Sequence, residues 1–222
     1  HVLPELAGSD EDLINALWND VALPPVELCS LLCRIGNEKG WSKENLLQWG
    51  GTSAALLSLQ QSSSSFLEPL PTWRRLWTNG VLYSTDDHGV ELHAVALAVL
   101  GCKHEFDHRL WRAQSTLLQP LINRLRLLLC DRFTDRYGPD WPLRWRYPDS
   151  DKEAADLRAS PAACEWGHMK QLMEQEEALR SEKQFKRLVR LAHNLRNELS
   201  HYHPVAFAQF EDLWLEIQRL PI

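Results

Sequence analysis

The stretch Leu188-Val-Arg-Leu-Ala-His-Asn-Leu-Arg-Asn-Glu-Leu-Ser-His-Tyr-His-Pro204 decides how this chain is read. Leu188, Leu191, Ala192, Leu195 and Leu199 recur at intervals of three and four residues, the pattern of a helix laying one apolar stripe on a core. At roughly 100° per residue, Arg190, His193, Asn197 and Ser200 project from the other side, flanked by Arg196 and His201. Arg196 and His201 stand about 140° apart around an unbroken helix, so two long side chains can reach one group lying across the face between them. Pro204 disfavours helical geometry at His203, which predicts a helix end near His201 or Tyr202.

An arginine carries a permanent charge and can fork onto phosphate oxygens. A histidine titrates near neutrality and can move a proton to or from a hydroxyl or a leaving oxygen. Together they form a minimal set for phosphodiester chemistry that requires no metal and no other cofactor. The same spacing also describes the solvated back and end of an ordinary amphipathic helix, since charged residues opposite an apolar stripe are the default.

Outward from this helix, Glu165 to Glu177 reads as its helical neighbour, Ser181 to His201 as the full extent of the helix itself, and Phe207 to Arg219 as a closing helix with Phe210, Leu213, Trp214 and Ile217 as its stripe. Asp151 to Arg158 is a short charged segment. Trp141-Pro-Leu-Arg-Trp-Arg-Tyr-Pro148 is too rich in proline and aromatic residues for a helix and predicts an ordered loop, either a lid or a set of stacking faces for bases. A helical pattern from Phe106 to Gly138, kinked near Pro120, carries Arg124, Arg126, Arg132 and Arg136, which either border a phosphate-binding cleft or form a solvated face.

Arg196-Asn-Glu-Leu-Ser-His201 matches the R-x(4-6)-H motif of the HEPN superfamily, including the polar residue, here Asn197, that commonly follows the arginine. The long helix from Leu117 to Tyr137 ends in Arg136-Tyr-Gly-Pro-Asp-Trp141, a Glu165-Trp-Gly-His168 element follows, and the motif precedes His203-Pro-Val205. That order resembles the HEPN domain at the C-terminus of Swt-type endoribonucleases and of several bacterial defence proteins, over about the last half of the chain. The resemblance implies a metal-independent endoribonuclease in which a homodimer pairs two copies of the motif. RNA is then the substrate, and protein partners in a toxin-type or antiviral defence system are expected. Arg196 would hold the scissile phosphate, His201 would serve as general acid or base on the ribose 2′-hydroxyl, and Asn197 would orient it; Arg190, His193 and Ser200 would line the substrate path. The same resemblance accommodates a non-catalytic dimerisation or binding module within a larger regulatory or defence protein.

The first half reads as a small helical domain, residues 1–101, ahead of the HEPN-like bundle of residues 102–222. Asp10 to Val21 is a helix with Leu13, Ile14, Leu17 and Trp18 as its stripe; Pro24-Pro25 opens a second that runs to Gly36; Ser42 caps a third ending at Gly50-Gly51; Thr52 to Gln60 is a fourth. Ser62 to Ser65 and Pro69 to Pro71 predict a linker or loop. Trp73, Leu76 and Trp77 continue a short amphipathic turn or two. Gly80 to Ser84 and Val90 to His93 then flank Thr85-Asp-Asp-His-Gly89 as a β-hairpin, and Ala94 to Leu100 is apolar on every side. Several short helices followed by a hairpin are the order of a winged helix, which offers a DNA-binding reading of this half or a plain packing module. The fold class expected is therefore mainly α with one short hairpin.

Composition bounds these readings. The 222 residues carry a net charge of −6, which argues against a protein that coats nucleic acid non-specifically and leaves room for a local basic cleft. Five cysteines, an odd number spread through helical contexts, suit buried thiols in a reducing compartment. Cys29 and Cys33, one helical turn apart, are core residues on this reading, and His104 and His108, at a zinc-compatible spacing, lack a third ligand. No glycine-rich nucleotide loop and no nucleophile motif occurs. With no secretory segment and no apolar run near 18 residues, a cytoplasmic protein without a membrane span is expected. A start at His1 rather than methionine suggests a piece of something longer.

Overall fold

The computed structural model describes residues 6–8, 10–18, 23–59, 71–85, 89–144, 148–175 and 182–220. Among them are twelve α-helices and one two-stranded sheet, so the protein is mainly α with a short hairpin. No helix among the described residues is long and apolar enough to cross a membrane. The chain divides into two compact units, His1–Gln114 and Ser115–Ile222.

In the first unit, α1 (Glu11–Leu17) starts where Asp10 Oδ1 accepts the Leu13 N–H at 2.9 Å. Leu13 and Leu17 are buried, whereas Trp18, expected on the same stripe, is 69% exposed. Five residues on from Leu13, it lies about 140° around the helix and past its last turn. Helix α2 (Pro25–Glu38) opens with proline in its first turn and buries Leu28, Leu32 and Gly36. It continues two residues past the stop expected at Gly36. A Cβ there would meet Val99 Cγ2 at 2.5 Å and Val95 Cγ1 at 3.0 Å, so this glycine serves close helix approach and does not terminate the helix. Ser42 and Thr52 cap α3 (Lys43–Gly50) and α4 (Ser53–Ser58) by accepting the N–H of Asn45 and of Ala55.

The serine-rich linker expected at residues 62–65, and Pro69, lie outside the described residues; Pro71 opens α5 (Pro71–Thr78). Strands β1 (Leu82–Thr85) and β2 (Gly89–Leu92) pair antiparallel, Leu82 opposite Leu92 and Thr85 opposite Gly89. The hairpin turn expected at residues 86–88 falls outside the described residues. The apolar run becomes α6 (Ala94–Leu100), buried except at Val99, and it ends at Gly101 with φ +71°. Helix α7 (Lys103–Tyr137) continues through Pro120; its first turns give Phe106 and Leu110 to the first core, so the division between units falls within it.

One carboxylate ties the hairpin to α7. Glu91, only 6% exposed, accepts from Arg112 Nη1 and Nη2 at 2.9 and 3.1 Å and from the Tyr83 hydroxyl at 3.1 Å. Arg109 stands 3.7 Å away and also donates to the Leu92 carbonyl. Burial opposes the charge, but the Arg112 hydrogen bonds and the two guanidinium charges outweigh it and hold the Glu91 carboxyl below its ordinary range. Beside this cluster, His93 caps α6 by accepting the Val95 N–H on Nδ1 at 3.2 Å, and its Nε2 lies 3.5 Å from Asp10 Oδ2.

The second unit holds the rest of α7, α8 (Trp141–Arg144), α9 (Asp151–Ala159), a 3-10 turn (Pro161–Ala163), α10 (Trp166–Gln175), α11 (Lys183–Ser200) and α12 (Phe207–Gln218). The loop expected from Trp141 to Pro148 is replaced over Trp141–Arg144 by a helical turn. Pro142 sits in its first turn, where no N–H is required, and buried Trp141 donates its indole N–H to Thr134 Oγ1 at 3.2 Å. Residues 145–147 lie outside the described residues. On α11 the expected stripe is buried at Leu188, Ala192, Leu195 and Leu199, and the helix packs on α10 and α12. On α12 the stripe is turned from the expected one: Leu213 and Glu216 are buried and Trp214 is 43% exposed. Arg219 at 2.6 Å and Arg187 at 3.4 Å neutralise the Glu216 carboxylate and so permit its burial.

Burial pushes the His93 pKa down to about 4. The folded state therefore binds fewer protons than the unfolded chain between about pH 4 and the ordinary histidine value, and stability falls as pH drops through that window. From pH 7 to pH 4.5 the denaturation midpoint should fall. In His93→Asn, which keeps a cap acceptor, that dependence should flatten by the equivalent of about 2–3 kcal/mol. Identical pH profiles for the two proteins would contradict the assignment.

Candidate functional site

The end of α11 is built by its own backbone. Tyr202 adopts φ +63°, the left-handed region that side chains rarely enter, and the His203 N–H returns to the Glu198 carbonyl at 3.0 Å while the Tyr202 N–H reaches the Leu199 carbonyl at 3.4 Å. This Schellman-type reversal, one residue before Pro204, ends the helix where expected. It also folds His203 back on Glu198, Nδ1 to Oε2 3.2 Å, and leaves His201 exposed at the cap with its ring 6.4 Å from that of His203.

One turn earlier, Arg196 and Ser200 border a cavity of about 260 Å³ whose other walls are Gln119, Ile122, Asn123 and Arg126 of α7 together with Glu165 and Trp166 at the start of α10. Arg196 is exposed, and among the described residues its guanidinium makes one hydrogen bond, 3.4 Å to Asn197 Oδ1. Ser200 Oγ donates to the Arg196 carbonyl at 2.8 Å, which leaves the hydroxyl oxygen able to accept. Trp166 is 2% exposed, and among the described residues its Nε1 has no hydrogen-bond partner. A permanent cation, a hydroxyl and two side-chain amides around a small cavity suit an oxyanion with polar substituents.

The cavity wall is held by Arg126. Its guanidinium donates to the carbonyls of Ala162 and Cys164, the latter at 2.8 Å, and to Asn123 Oδ1 through Nε at 3.2 Å and Nη2 at 3.0 Å. These bonds fasten the segment before α10 to α7. Of the four arginines expected to border a phosphate cleft, Arg126 lines the cavity but is committed to this structural role. Arg132 stacks on Phe185 at 4.8 Å and Arg136 pairs with buried Glu182 at 2.6 Å, while Arg124 is exposed. The Glu165-Trp-Gly-His168 element is fixed in the same way: His168 Nε2 lies 3.0 Å from Glu153 of α9, and its Nδ1 lies 3.4 Å from the Glu165 N–H. α10 passes His193 at Gly167, where a Cβ would lie 3.7 Å from its Nε2, an ordinary contact.

The six residues expected to act together are thus distributed along α11. Arg196 and Ser200 share the cavity. His193 and Asn197 are half-buried and joined to each other at 3.3 Å, with His193 Nδ1 buried and without a hydrogen-bond partner among the described residues. His201 is not among the residues that line the cavity, and Arg190 belongs to a separate cleft with Lys170, Lys183, Lys186 and Arg187. Sequence reasoning missed Gln119 and Asn123, which lie far from the motif in the chain, and it named Trp166 only within the Glu165-Trp-Gly-His168 element, not as a wall of the site. It also missed the lysines, whose spacing in Lys183-Gln-Phe-Lys-Arg187 was visible as charge on one helical face. Among the described residues no three His, Cys, Asp or Glu side chains are grouped to hold a metal ion. Burial raises the Cys130 thiol to about 11, so it is a packing residue and not a nucleophile.

No protein-family model, no curated protein and no solved structure matches the chain.

Replacing Arg126 leaves two half-buried carbonyls without their donor. Arg126→Ala should therefore lower stability in chemical denaturation by about 1–3 kcal/mol, and Arg126→Lys should recover only part of it because an ammonium cannot fork across both carbonyls and Asn123. An unchanged midpoint in Arg126→Ala would show that the clasp does not hold the wall.

Proposed function

We propose that the chain is a metal-independent endoribonuclease of the HEPN type, acting as a homodimer through Arg196 and His201. The observation that supports this best is the Arg196 guanidinium, exposed on a polar cavity and held among the described residues by a single 3.4 Å hydrogen bond. An arginine so loosely engaged can turn both edges of its fork to a phosphate.

In the reaction, a ribose 2′-oxygen attacks phosphorus, forming the P–O2′ bond as the P–O5′ bond breaks. The 2′-hydroxyl proton passes to one imidazole and the leaving 5′-oxygen takes a proton from another group, leaving a 2′,3′-cyclic phosphate and a 5′-hydroxyl. Two His201 side chains, one from each copy, can divide these tasks, while Arg196 stabilises the charge that builds on the phosphoryl oxygens. Asn197, expected to orient His201, instead contacts Arg196 at 3.4 Å and His193 at 3.3 Å, and in this reading it positions the guanidinium. A single α11 leaves His201 facing solvent, so a second surface has to complete the site. A toxin or antiviral defence role is proposed from the same resemblance, and a cytoplasmic setting from the sequence's lack of a secretory segment.

A second reading, a non-catalytic association module, is favoured by apolar side chains exposed after α11 and along α12: Tyr202 at 64%, Phe207 at 45%, Trp214 and Leu215 at 43%. A module of this kind would associate in solution and leave RNA intact.

Purified chain incubated with single-stranded and structured RNA in EDTA should produce fragments with 2′,3′-cyclic phosphate ends and leave DNA uncut, since DNA lacks the attacking hydroxyl. Arg196→Ala and His201→Ala should each slow cleavage by about 100-fold or more. Intact RNA, or cleavage at the wild-type rate in both variants, would overturn the enzymatic reading.

A further inference from the structure

The first half of α11 carries a charge cluster that the Arg196 site does not use. Lys183, Lys186, Arg187 and Arg190, with Lys170 of α10, line a cleft of about 260 Å³ in which, among the described residues, Glu174 is the only acid. Five cations against one carboxylate is an unusual concentration in a chain whose net charge is −6. Arg187 is partly compensated by Asp212 at 3.3 Å and Glu216 at 3.4 Å. Among the described residues, Lys170, Lys183, Lys186 and Arg190 pair with no carboxylate. Lys183 with Arg187, and Lys186 with Arg190, are like-charged pairs one turn apart, an arrangement that costs a helix stability unless an anion lies across it.

The cleft lies along the first half of α11 and the Arg196 cavity along its second half, and α10 borders both. Lys186, Arg190, His193, Asn197 and His201 follow one another at intervals of three or four residues, so they form one polar stripe along the helix. On α10, Lys170 stands one turn beyond Trp166, which walls the Arg196 cavity. At about 1.5 Å per residue, the path from Lys183 to Ser200 is roughly 26 Å long. That length accommodates on the order of seven nucleotides at the roughly 3.4 Å charge spacing of a stacked strand. Among the cleft residues only Met173 is apolar, so the surface suits a flexible polyanion and not an apolar partner. Lysine ammonium groups neutralise phosphates as point charges without reading bases.

We propose that this cleft is a docking station for the sugar–phosphate backbone of single-stranded RNA, holding the strand one or two helical turns from the phosphate that Arg196 engages; the choice of RNA rests on the ribonuclease reading above, and the binding itself does not require cleavage. Four cations that pair with no carboxylate among the described residues, acting on a single strand, give a slope of log K against log salt of about −3.

The test is fluorescence anisotropy of a labelled 12-nucleotide oligouridine with the full chain carrying His201→Ala, in EDTA, from 50 to 200 mM KCl. Affinity should fall about 50-fold over that range. Adding Lys183→Ala, Lys186→Ala and Arg190→Ala should weaken binding at least tenfold at 50 mM and bring the slope to about −1, while Lys152→Ala on α9 changes neither. The paired Lys183→Arg, Lys186→Arg variant should keep both, which separates lost charge from lost folding. A slope near zero, affinity unchanged in the triple variant, or adsorption to phosphatidylserine vesicles without RNA binding would overturn the proposal. Salt-dependent binding by a chain whose wild type cuts no RNA would retain the docking station and discard the cleavage reading. Cleavage that survives the triple substitution at full rate and affinity would do the reverse.

Discussion

Burial of one apolar stripe on α11 is the constraint from which the second unit's surface follows. With Leu188, Ala192, Leu195 and Leu199 held in the core between α10 and α12, every other residue of the helix has its direction fixed. Arg196 and Ser200 are turned to the cavity beside α7, His193 and Asn197 to the flank near α10, and Lys186 and Arg190 to the basic cleft. Rotating the helix by one residue would expose leucines and bury cations, a cost of several kcal/mol that keeps the polar side in register. The core thus decides which side chains of this helix remain to meet a ligand.

Around that helix, single polar side chains do most of the positioning. Arg126 gathers two carbonyls from the segment before α10, and His168 ties the same segment to Glu153 of α9. Glu91 plays the corresponding part in the first unit, where one carboxylate brings Arg112, Arg109 and Tyr83 together at the hairpin. Each of these groups is nearly saturated with partners, as buried polar atoms have to be. The contrast with Arg196, Lys183, Lys186 and Arg190 is informative. Their charged groups pair with no carboxylate among the described residues.

Much of this was legible in the sequence where a local rule governs. Asp10, Ser42 and Thr52 cap helices as their residue types foretell, Pro204 stops α11, and the run Ala94–Leu100 is buried because it has no polar face to show. The failures arise where a distant residue intervenes. Gly36 was read as a stop, but it is needed for contact with Val95 and Val99, which lie some sixty residues away. Trp141 was read as a loop residue, but it is drawn into the core by a hydrogen bond to Thr134 and packing on Phe133, whose ring lies 5.2 Å away. On α12 the expected aromatic stripe loses Trp214 to solvent because two arginines make the Glu216 carboxylate buriable. At the candidate site the motif residues could be named from their spacing. The cavity's other wall, from Gln119, Asn123 and Trp166, could not, because nothing local in α7 or α10 announces which of their polar faces will meet α11.

The account stands on Arg196 and His201 serving one phosphate. The most direct measurement is an NMR titration of isotopically labelled chain with a 2′-deoxy dinucleotide, which offers the phosphodiester but cannot be cut. The Arg196 Nε–H and the His201 imidazole resonances should shift together, along one binding curve, with the Lys152 signals still. Saturation of Arg196 with no response from His201, or of neither, would show that the two side chains do not share a ligand.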